Sequence, residues 1–385
     1  MKYLAVLGRQ PEISIAELGA LFKGVRKINE KLAIFDAEKP EIGRLGGSLK
    51  LAEKLDKKSL DYLADLPDGK ITLGVSDYSK GASRKTATVE ALKLKKILVR
   101  HGRSVRVLEN KEATLSTATS LHNGLGGKNE RKVELIKVND EWYKVVGVQD
   151  IDAYAKRDQA RPARDAKVGM LPPKLAQILI NLCGELDLGS VILDPFCGTG
   201  VVLQEALLMG YKAYGTDINE RMVKYSEKNM EWLTKNRDLE TFNILQGDAT
   251  TFKWEQPIDA VACEGYLGKP LSKIPTEIEL KEQKQECGTI IAGFLKNLAG
   301  QVKSGTPVVV AAPAWLRLDG TYERLNIFDD LGDSKIMNEG GDSSKKKVDE
   351  IKDMGYNVEN KSREGLFYCR ENQIVARDII ILRKK

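Results

Sequence analysis

The sequence predicts an α/β protein in which a parallel β-sheet occupies the C-terminal part of the chain and a smaller α+β region precedes it. Three observations support this fold class. From about residue 171 onward, apolar strands alternate with helices, which is typical of a parallel sheet covered on both faces. A strand, a glycine turn and a helix follow one another over residues 191–209. Before residue 170 the predicted elements are less regular, and positive charge is concentrated there.

Length and charge set the first limits on organisation and function. The 385 residues exceed one typical domain, so two or three domains are expected. The net charge is +6, but residues 1–170 carry +10 and the remainder carries −4, which makes the first part the better candidate for binding a polyanion. No apolar run approaches the ~20 residues that span a bilayer, and Met1–Leu7 is too short for a signal peptide. We therefore expect a cytoplasmic protein with no membrane contact.

The cysteine pattern argues against disulfides and zinc. The five cysteines are odd in number and scattered, and no two of them form a C-x-x-C pair. The chain has only two histidines, His101 and His122. These counts predict reduced thiols and no metal site. No obligate protein partner is evident from the sequence.

The first 149 residues predict two small α+β units. The first unit, residues 1–55, has a strand, a helix, two short strands, and a last helix and strand, over Lys2–Leu7, Ile13–Phe22, Val25–Ile28, Leu32–Phe35 and Glu41–Leu51. The second, residues 56–149, alternates strands and helices and ends in two strands, over Ile71–Val75, Lys85–His101, Ser104–Leu108, Thr114–Asn123, Val133–Val138 and Trp142–Val148. The charged segment 150–170 contains Pro162, so we expect a linker rather than a core helix.

One helix of the second unit carries a run of positive charge. The segment Ser83–Arg103 contains Glu90 as its only acidic residue. Its basic residues are Arg84, Lys85, Lys93, Lys95, Lys96, Arg100 and Arg103. Two interpretations stay open: an ordinary solvated helix face, which charge alone favours, or a surface that contacts phosphates.

The region 171–385 predicts the parallel sheet. A helix opens at Pro172 and Pro173, where proline is well tolerated. The later strands and helices are predicted over Val191–Leu193, Val201–Met209, Ala213–Gly215, Glu220–Leu233, Phe242–Gln246, Ala260–Cys263, Glu277–Gln301 and Pro307–Ala312. The tail Gly365–Leu382 predicts an antiparallel hairpin that completes the sheet. Residues 331–347, rich in Gly, Asp, Ser and Lys, predict a loop to which we assign no chemistry.

The glycine turn predicts a cofactor pocket. The strand at residues 191–193 runs into Asp-Pro-Phe-Cys-Gly-Thr-Gly, which ends at Gly200. Gly198 and Gly200 let the backbone approach a ligand, and the helix start offers unpaired N–H groups. The third glycine of the dinucleotide fingerprint would fall at Leu203, so a methionine-derived cofactor fits better. Asp217 follows at the expected ~20-residue distance, where its carboxylate can take both ribose hydroxyls.

Two further strand ends carry candidate functional residues. Asp248 follows the third strand, where it could accept the amino hydrogens of adenine. The fourth strand ends in Cys263-Glu264-Gly265-Tyr266. An exocyclic amine is a poor nucleophile because its lone pair is delocalised into the ring, so acceptors and a stacking aromatic must hold it in line. We expect Glu264 and Tyr266 to orient and stack such a base.

These motifs resemble those of class I S-adenosylmethionine-dependent methyltransferases that act on exocyclic amines. Such enzymes commonly carry Asp/Asn-Pro-Pro-Tyr/Phe at the fourth strand, whereas this chain has Cys263 and Gly265 at the first and third positions. Most of the chain resembles the archaeal-type THUMP-domain tRNA guanine-N2 methyltransferases. The segments that carry this resemblance are Leu115–Ala118, His122–Gly124, Arg157–Asp158, Arg161–Asp165, Met170–Ala176 and Glu264-x-Tyr266-Leu267-Gly268.

The resemblance implies a domain order and a reaction. It implies a ferredoxin-like domain at 1–55, a THUMP-like RNA-binding domain at 56–149, a linker at 150–170 and a Rossmann-like methyltransferase domain at 171–385. The implied cofactor is S-adenosyl-L-methionine, the partner is tRNA, and the product is N2-methyl- or dimethylguanosine at position 10. The family motif reads Glu-Pro-Tyr-Leu-Gly, so Gly265 makes this loop less rigid.

The predicted functional residues fall into three sets. The cofactor-binding set is Asp194, Phe196, Cys197, Gly198, Thr199, Gly200, Asp217, Ile218, Asp248 and Ala249. The catalytic set is Cys263, Glu264 and Tyr266. The RNA-binding set is Arg84, Lys85, Lys95, Lys96, Arg100, Arg157, Arg161 and Arg164. Two alternatives stay open: a DNA amino methyltransferase, and a non-catalytic tRNA-binding protein that retains the cofactor fold.

Overall fold

The computed structural model of the chain contains two compact units, Met1–Ala155 and Lys156–Lys385. It describes residues 1–56, 58–165, 171–235, 237–325, 354–360, 366–371 and 373–385. The predicted loop at 331–347 and the last part of the predicted linker, 166–170, lie outside the described residues. Within those ranges, every helix is too short or too polar to cross a lipid bilayer.

The first unit is built on one eight-stranded sheet with the order β2-β3-β1-β4-β8-β7-β5-β6. Its strands are β1 (Lys2–Leu7), β2 (Lys23–Asn29), β3 (Leu32–Asp36), β4 (Ser48–Lys54), β5 (Ile71–Asp77), β6 (Val105–Val107), β7 (Lys132–Val138) and β8 (Glu141–Val148). Its helices are α1 (Pro11–Leu21), α2 (Ser59–Ala64), α3 (Arg84–Arg100), α4 (Thr117–His122) and a 3-10 turn at Ile42–Arg44. Because β4 pairs with β8, the two predicted N-terminal units share this sheet. The domain boundary at residue 55 stays a prediction.

Helix α3 forms where the basic run predicts it. Ser83 caps its N-terminus in a capping box with Thr86, which satisfies backbone donors that a helix start leaves open. Alanine and leucine side chains at helical spacing are buried against the sheet, and they are Ala87, Ala91, Leu94 and Leu98. The basic side chains are therefore left on the remaining faces of the helix.

The predicted linker begins with a helix, α5 (Ile151–Gln159), which the sequence interpretation missed. The helix ends before Pro162, as the geometry of proline requires. Tyr154 is its buried residue. The segment is highly charged and buries few apolar side chains, so it lacks the apolar periodicity by which a helix is recognised in a sequence.

A buried ion pair and its hydrogen bonds connect three strands and one helix of the first unit. Lys50 Nζ in β4 lies 2.6 Å from Glu134 Oε1 in β7, and both side chains are at most 1% exposed. Ser76 in β5 and Ser120 in α4 donate to the two oxygens of Glu134, each at 2.6 Å. Lys50 also donates to the carbonyl oxygen of Leu115 at 2.8 Å. Because the ammonium group and both carboxylate oxygens have hydrogen-bond partners, this ion pair can be buried away from water.

The second unit contains a sheet with the order β11-β10-β9-β12-β13-β17-β15, with β14 on β13 and β16 on β17. Its strands are β9 (Val191–Asp194), β10 (Lys212–Asp217), β11 (Phe242–Gln246), β12 (Ala260–Glu264), β13 (Pro307–Leu316), β14 (Tyr322–Arg324), β15 (Tyr356–Val358), β16 (Phe367–Tyr368) and β17 (Val375–Lys384). Its helices are α6 (Pro173–Asn181), α7 (Val201–Leu208), α8 (Glu220–Thr234) and α9 (Glu277–Ala299).

Strand direction in this sheet agrees with the prediction. The five strands from β11 to β13 are mutually parallel. Strand β17 runs antiparallel to β13 and pairs with β16, which confirms the predicted C-terminal hairpin. The unit is thus a Rossmann-like doubly wound α/β domain with an antiparallel edge.

The buried ion pair predicts a local loss of stability when it is broken. Lys50→Met leaves the Glu134 carboxylate buried without its counter-charge, which costs about 3–5 kcal/mol. Lys54→Met on the same strand is the matched control, since its ion pair with Glu141 is exposed and contributes about 1 kcal/mol or less. Amide hydrogen exchange in β5 and β7 measures both effects. Equal acceleration in the two variants would contradict the assignment.

Candidate active site

The candidate site lies where the strand order of the second unit reverses. From β9 the chain continues to β10 and β11 on one side, and then returns to β12 and β13 on the other side of β9. Ligands of such sheets bind at the carboxyl ends of the strands beside this reversal. Asp194 ends β9 and Glu264 ends β12, so the two carboxyl groups flank the switch point.

The glycine turn has the backbone geometry that its sequence predicts. Gly198 and Gly200 have φ of +51° and +81°, in the left-handed region that favours glycine. A Cβ at Gly200 would lie 2.3 Å from Ser226 Oγ, so a side chain cannot be accommodated there without displacement. Gly200 precedes the first residue of α7, whose opening N–H groups are directed toward the turn.

A buried amide holds the turn in place. Asn229 in α8 is fully buried, and its Nδ2 donates to the carbonyl oxygens of Thr199 and Ala163, both at 2.9 Å. Its Oδ1 accepts from the N–H of Ala163, also at 2.9 Å. The segment that precedes residue 166 is therefore fixed against the glycine turn. No feature of the sequence singled out Asn229, because its role depends on contacts with two distant segments.

Asp217 links the turn to the end of β10. Its Oδ2 accepts from the N–H of Gly198 at 2.9 Å, and its Oδ1 accepts from the N–H of Asn219 at 2.9 Å. Burial raises the pKa of this carboxyl above its usual value. Each carboxylate oxygen can accept a further hydrogen bond, so both can still bind ligand hydroxyls.

The neighbouring residues fit the adenosine part of S-adenosylmethionine. Ile218 is 67% exposed although it is a large apolar side chain, and it directly follows Asp217. Asp248 is exposed at the end of β11; its Oδ1 accepts from Thr250, and its Oδ2 has no partner among the described residues. Ala249 is buried. The exposed side chain of Ile218 suits contact with an adenine ring. The carboxylate of Asp248 suits the adenine amino group, and that of Asp217 suits the ribose hydroxyls.

Asp194 and Cys197 are buried at the turn, and Phe196 between them is half-buried. Phe196 donates its N–H to Asp194 Oδ1 at 3.1 Å, and its ring packs edge-on against Phe294. Burial raises the pKa of Asp194 well above its usual value, and the nearby carboxylates of Asp217 and Glu264 add to this effect. Burial likewise raises the pKa of Cys197, so its thiol stays neutral at pH 7.

Glu264 is held by an arginine that the sequence interpretation missed. Arg377 Nε in β17 donates to Glu264 Oε1 at 2.7 Å, and the two side chains are 5% and 16% exposed. Glu264 Oε2 has no partner among the described residues. The sequence separates the two residues by 113 positions, and only the pairing of β13 with both β12 and β17 brings them together.

The other two predicted catalytic residues differ in their surroundings. Tyr266 is half-buried, and its hydroxyl donates to Glu286 Oε1 at 3.1 Å. Burial and this hydrogen bond raise the pKa of Tyr266 to about 12, so the hydroxyl stays protonated at pH 7. Cys263 is 0% exposed within the core of the unit, and burial raises the pKa of its thiol well above its usual value. Its catalytic role stays a prediction.

Helix α9 anchors the loop that follows Tyr266. Gln283 is buried, and it accepts from the N–H of Lys269 at 3.0 Å and donates to the same residue's carbonyl oxygen at 3.4 Å. Gly268 has a φ of +86°, and a Cβ there would lie 1.9 Å from Gln283 Oε1. The N–H of Gly265 donates to the carbonyl oxygen of Ala311 at 3.0 Å, a bond that a proline could not make.

The predicted RNA-binding residues lie in two settings. Those of α3 are exposed or half-buried, and they are Arg84, Lys85, Lys95, Lys96 and Arg100. Arg157 makes two hydrogen bonds to the buried Glu205, at 2.7 and 3.1 Å. Arg161 is fully buried, and Arg164 is exposed. Contact of Arg157 or Arg161 with RNA would require these side chains to leave their positions in the second unit.

The candidate site lies within a region of the chain that matches a known protein family. A family model described as UPF0020, RMKL-like methyltransferase domain, matches residues 161–292. This range contains the glycine turn, Asp217, Asp248 and the loop from Cys263 to Tyr266. The structure of TrmN from Thermus thermophilus is similar to the whole chain, with 16% identity, full coverage of both chains and a TM-score of 0.44.

Two curated relatives are tRNA (guanine(10)-N2)-dimethyltransferases. The protein from Methanothermobacter thermautotrophicus is 31% identical over 173 residues, which span 44% of this chain and 47% of that relative. The protein from Pyrococcus abyssi is 30% identical over 291 residues, which span 72% of this chain and 77% of that relative. The match to the second relative includes most of both chains. This chain therefore belongs to the tRNA (guanine(10)-N2)-dimethyltransferase family, whose class I methyltransferase domain uses S-adenosyl-L-methionine.

Proposed function

We propose that this protein transfers methyl groups from S-adenosylmethionine to the exocyclic N2 amine of a guanosine in tRNA, at position 10. The names of the curated relatives support the substrate. The observation that carries the proposal is the Glu264 carboxylate at the switch point. Arg377 holds one of its oxygens and leaves the other, Oε2, available to an amine hydrogen.

The chemistry requires positioning more than a strong base. S-adenosylmethionine, when bound, would supply an electrophilic methyl carbon on its sulfonium sulfur, and the C–S bond would break as the N2 nitrogen bonds to that carbon. The lone pair of the N2 nitrogen is delocalised into the guanine ring, so the amine must be held in line with that methyl carbon. Glu264 Oε2 would accept one N2 hydrogen, direct the lone pair, and take up the proton that the amine loses on transfer. Tyr266 would stack against the guanine ring.

The ion pair with Arg377 makes Glu264 suitable for this role. A carboxylate with 16% exposure would otherwise be desolvated without compensation. The guanidinium supplies the opposite charge and fixes one oxygen, so that the other keeps a constant position. We assign Arg377 a positioning role, because its hydrogen bond reaches Glu264 Oε1 rather than the substrate.

We assign recognition of the tRNA to the first unit and especially to α3. Its lysines and arginines face away from the buried alanines and leucines, as a phosphate-binding surface requires. Arg164 is exposed and joins this set, whereas Arg157 and Arg161 are proposed to stabilise the second unit. A THUMP-like role for this unit and a cytoplasmic location are parts of the same proposal.

The direct test is incubation with labelled S-adenosylmethionine and undermethylated total tRNA, followed by nucleoside mass spectrometry. We expect label in N2-methylguanosine or N2,N2-dimethylguanosine. Label in N6-methyladenosine, or label that enters only duplex DNA, would establish the DNA amino methyltransferase alternative. Binding of the cofactor with no label in any tRNA would establish the non-catalytic alternative.

A reciprocal pair of variants tests the division of labour. Asp217→Ala removes the carboxylate that shapes the glycine turn, so we expect loss of cofactor binding by calorimetry with unchanged tRNA affinity. Lys95→Glu combined with Lys96→Glu should weaken tRNA binding and leave cofactor affinity unchanged. Lys31→Glu combined with Lys39→Glu, which makes the same charge change elsewhere in the first unit, is the control. Equal loss of tRNA affinity in the two lysine pairs would contradict the role of α3.

The positioning role of Arg377 predicts a selective loss of turnover. Arg377→Gln should lower kcat about 100-fold, because the acceptor oxygen is no longer fixed, with little change in KM for tRNA or in cofactor affinity. Arg377→Lys should recover part of the rate. Arg383→Gln is the matched control, since Arg383 lies in the same strand and pairs with the exposed Glu359. A similar loss of kcat in the control, or a loss confined to cofactor affinity, would exclude the role.

A further inference from the structure

A small surface pocket lies at the C-terminal end of α8, apart from the candidate active site. Its volume is about 200 Å³, and its lining residues are Lys156, Trp232, Leu233, Lys235 and Arg237. Lys156 comes from α5, whereas the others come from the end of α8 and the residues that follow it. The pocket thus combines three cationic side chains with one indole ring.

The three cations are not neutralised by the protein. Within the described ranges, no carboxylate lies within ion-pair distance of Lys156, Lys235 or Arg237, and none lines the pocket. Glu231 and Asp238 are exposed neighbours in the sequence, and neither forms an ion pair with these cations. Three positive charges that converge without a counter-charge produce a local positive potential that favours an anion.

Helix stabilisation accounts for only part of this arrangement. A cation at a helix C-terminus is favoured by the helix dipole, which explains Lys235 at the end of α8. It does not explain Lys156, which comes from another helix, or Arg237, which lies beyond the end of α8. The helix dipole therefore does not explain why all three cations line the same pocket as Trp232.

The indole supplies the second element of a nucleotide site. Trp232 is half-buried, and Leu233 beside it, which also lines the pocket, is 1% exposed. A partly exposed aromatic ring offers a face on which a base can stack, and adjacent cations hold the phosphate of the same nucleotide. Nucleic-acid grooves commonly combine these two features.

We propose that this pocket binds a nucleotide of the substrate tRNA other than the target guanosine, an inference that rests on the proposed function. Helix α8 has 15 residues and begins next to Asp217, so the pocket lies about 22 Å from the cofactor-binding end of the sheet. The guanosine at the active site cannot reach that far. The contact therefore adds affinity for the RNA as a whole and takes no part in the transfer step.

Direct binding to an unmodified tRNA transcript, measured by fluorescence anisotropy across a salt series with the full chain, tests this site. Trp232→Ala should weaken tRNA binding about 5- to 100-fold, because a stacking platform is lost. Lys235→Ala combined with Arg237→Ala should reduce the slope of log K against log salt by about two, because two phosphate contacts disappear. Trp232→Phe retains a stacking face and should bind nearly as well as the natural protein.

The controls distinguish this site from general effects. Lys253→Ala combined with Lys303→Ala removes two exposed lysines elsewhere in the same unit and should leave the salt slope unchanged. Cofactor affinity by calorimetry should be equal in all variants. Unchanged tRNA affinity and salt slope in both the Trp232→Ala and the Lys235/Arg237 variants would overturn the site, as would equal loss in the control pair.

These experiments distinguish a failure of the tRNA-binding pocket from a failure of the proposed methyl transfer. Natural protein that methylates guanosine N2 while the pocket variants bind tRNA normally would exclude the pocket alone. Natural protein that binds tRNA through the pocket but yields no N2-methylated guanosine would exclude the proposed reaction and retain the site. Tight binding of free guanosine monophosphate, abolished by Trp232→Ala, would identify a mononucleotide site instead and would contradict the proposal.

Discussion

The arrangement of the candidate site depends on one buried side chain, the amide of Asn229. It donates to the carbonyl oxygens of Thr199 and Ala163 and accepts from the N–H of Ala163, so three segments of the second unit are fixed to one another. A buried amide that uses both its donors and its acceptor is costly to replace, because any substitution leaves backbone groups without partners. The geometry of the glycine turn, and through it the contact of Gly198 with Asp217, follows from this interaction.

The substrate side of the site depends on the antiparallel edge of the sheet. Strand β13 pairs with β12 on one side and with β17 on the other, and this arrangement brings Arg377 to Glu264. Strand β17 therefore contributes more than sheet closure, since it carries the cation that orders the proposed acceptor. The cofactor side and the substrate side are built by different contacts, and each can be altered separately.

Local patterns in the sequence were sufficient to predict the strands whose ends carry Asp194, Asp217 and Glu264, but the order of these strands in the sheet came from the structure. They predicted helix α3 equally well, because helical periodicity is a local property; its capping box at Ser83 was found only in the structure. They could not predict Arg377 or Asn229, whose partners are distant in the sequence, or the complete burial of Cys263. Helix α5 was missed because charge obscured its single buried tyrosine. Local sequence patterns do not contain the contacts between segments that are distant along the chain.

The Lys50–Glu134 pair has a practical consequence for dissecting the chain. Strand β4 supplies the ammonium group of this pair and β7 supplies the carboxylate. A fragment that ends near residue 55 would therefore contain Lys50 without its carboxylate partner. A fragment that begins there would contain Glu134 without its cation. Either product would also expose a sheet edge, with the attendant risk of aggregation. Recombinant versions of the first unit are best designed to run unbroken from the first strand to about residue 155.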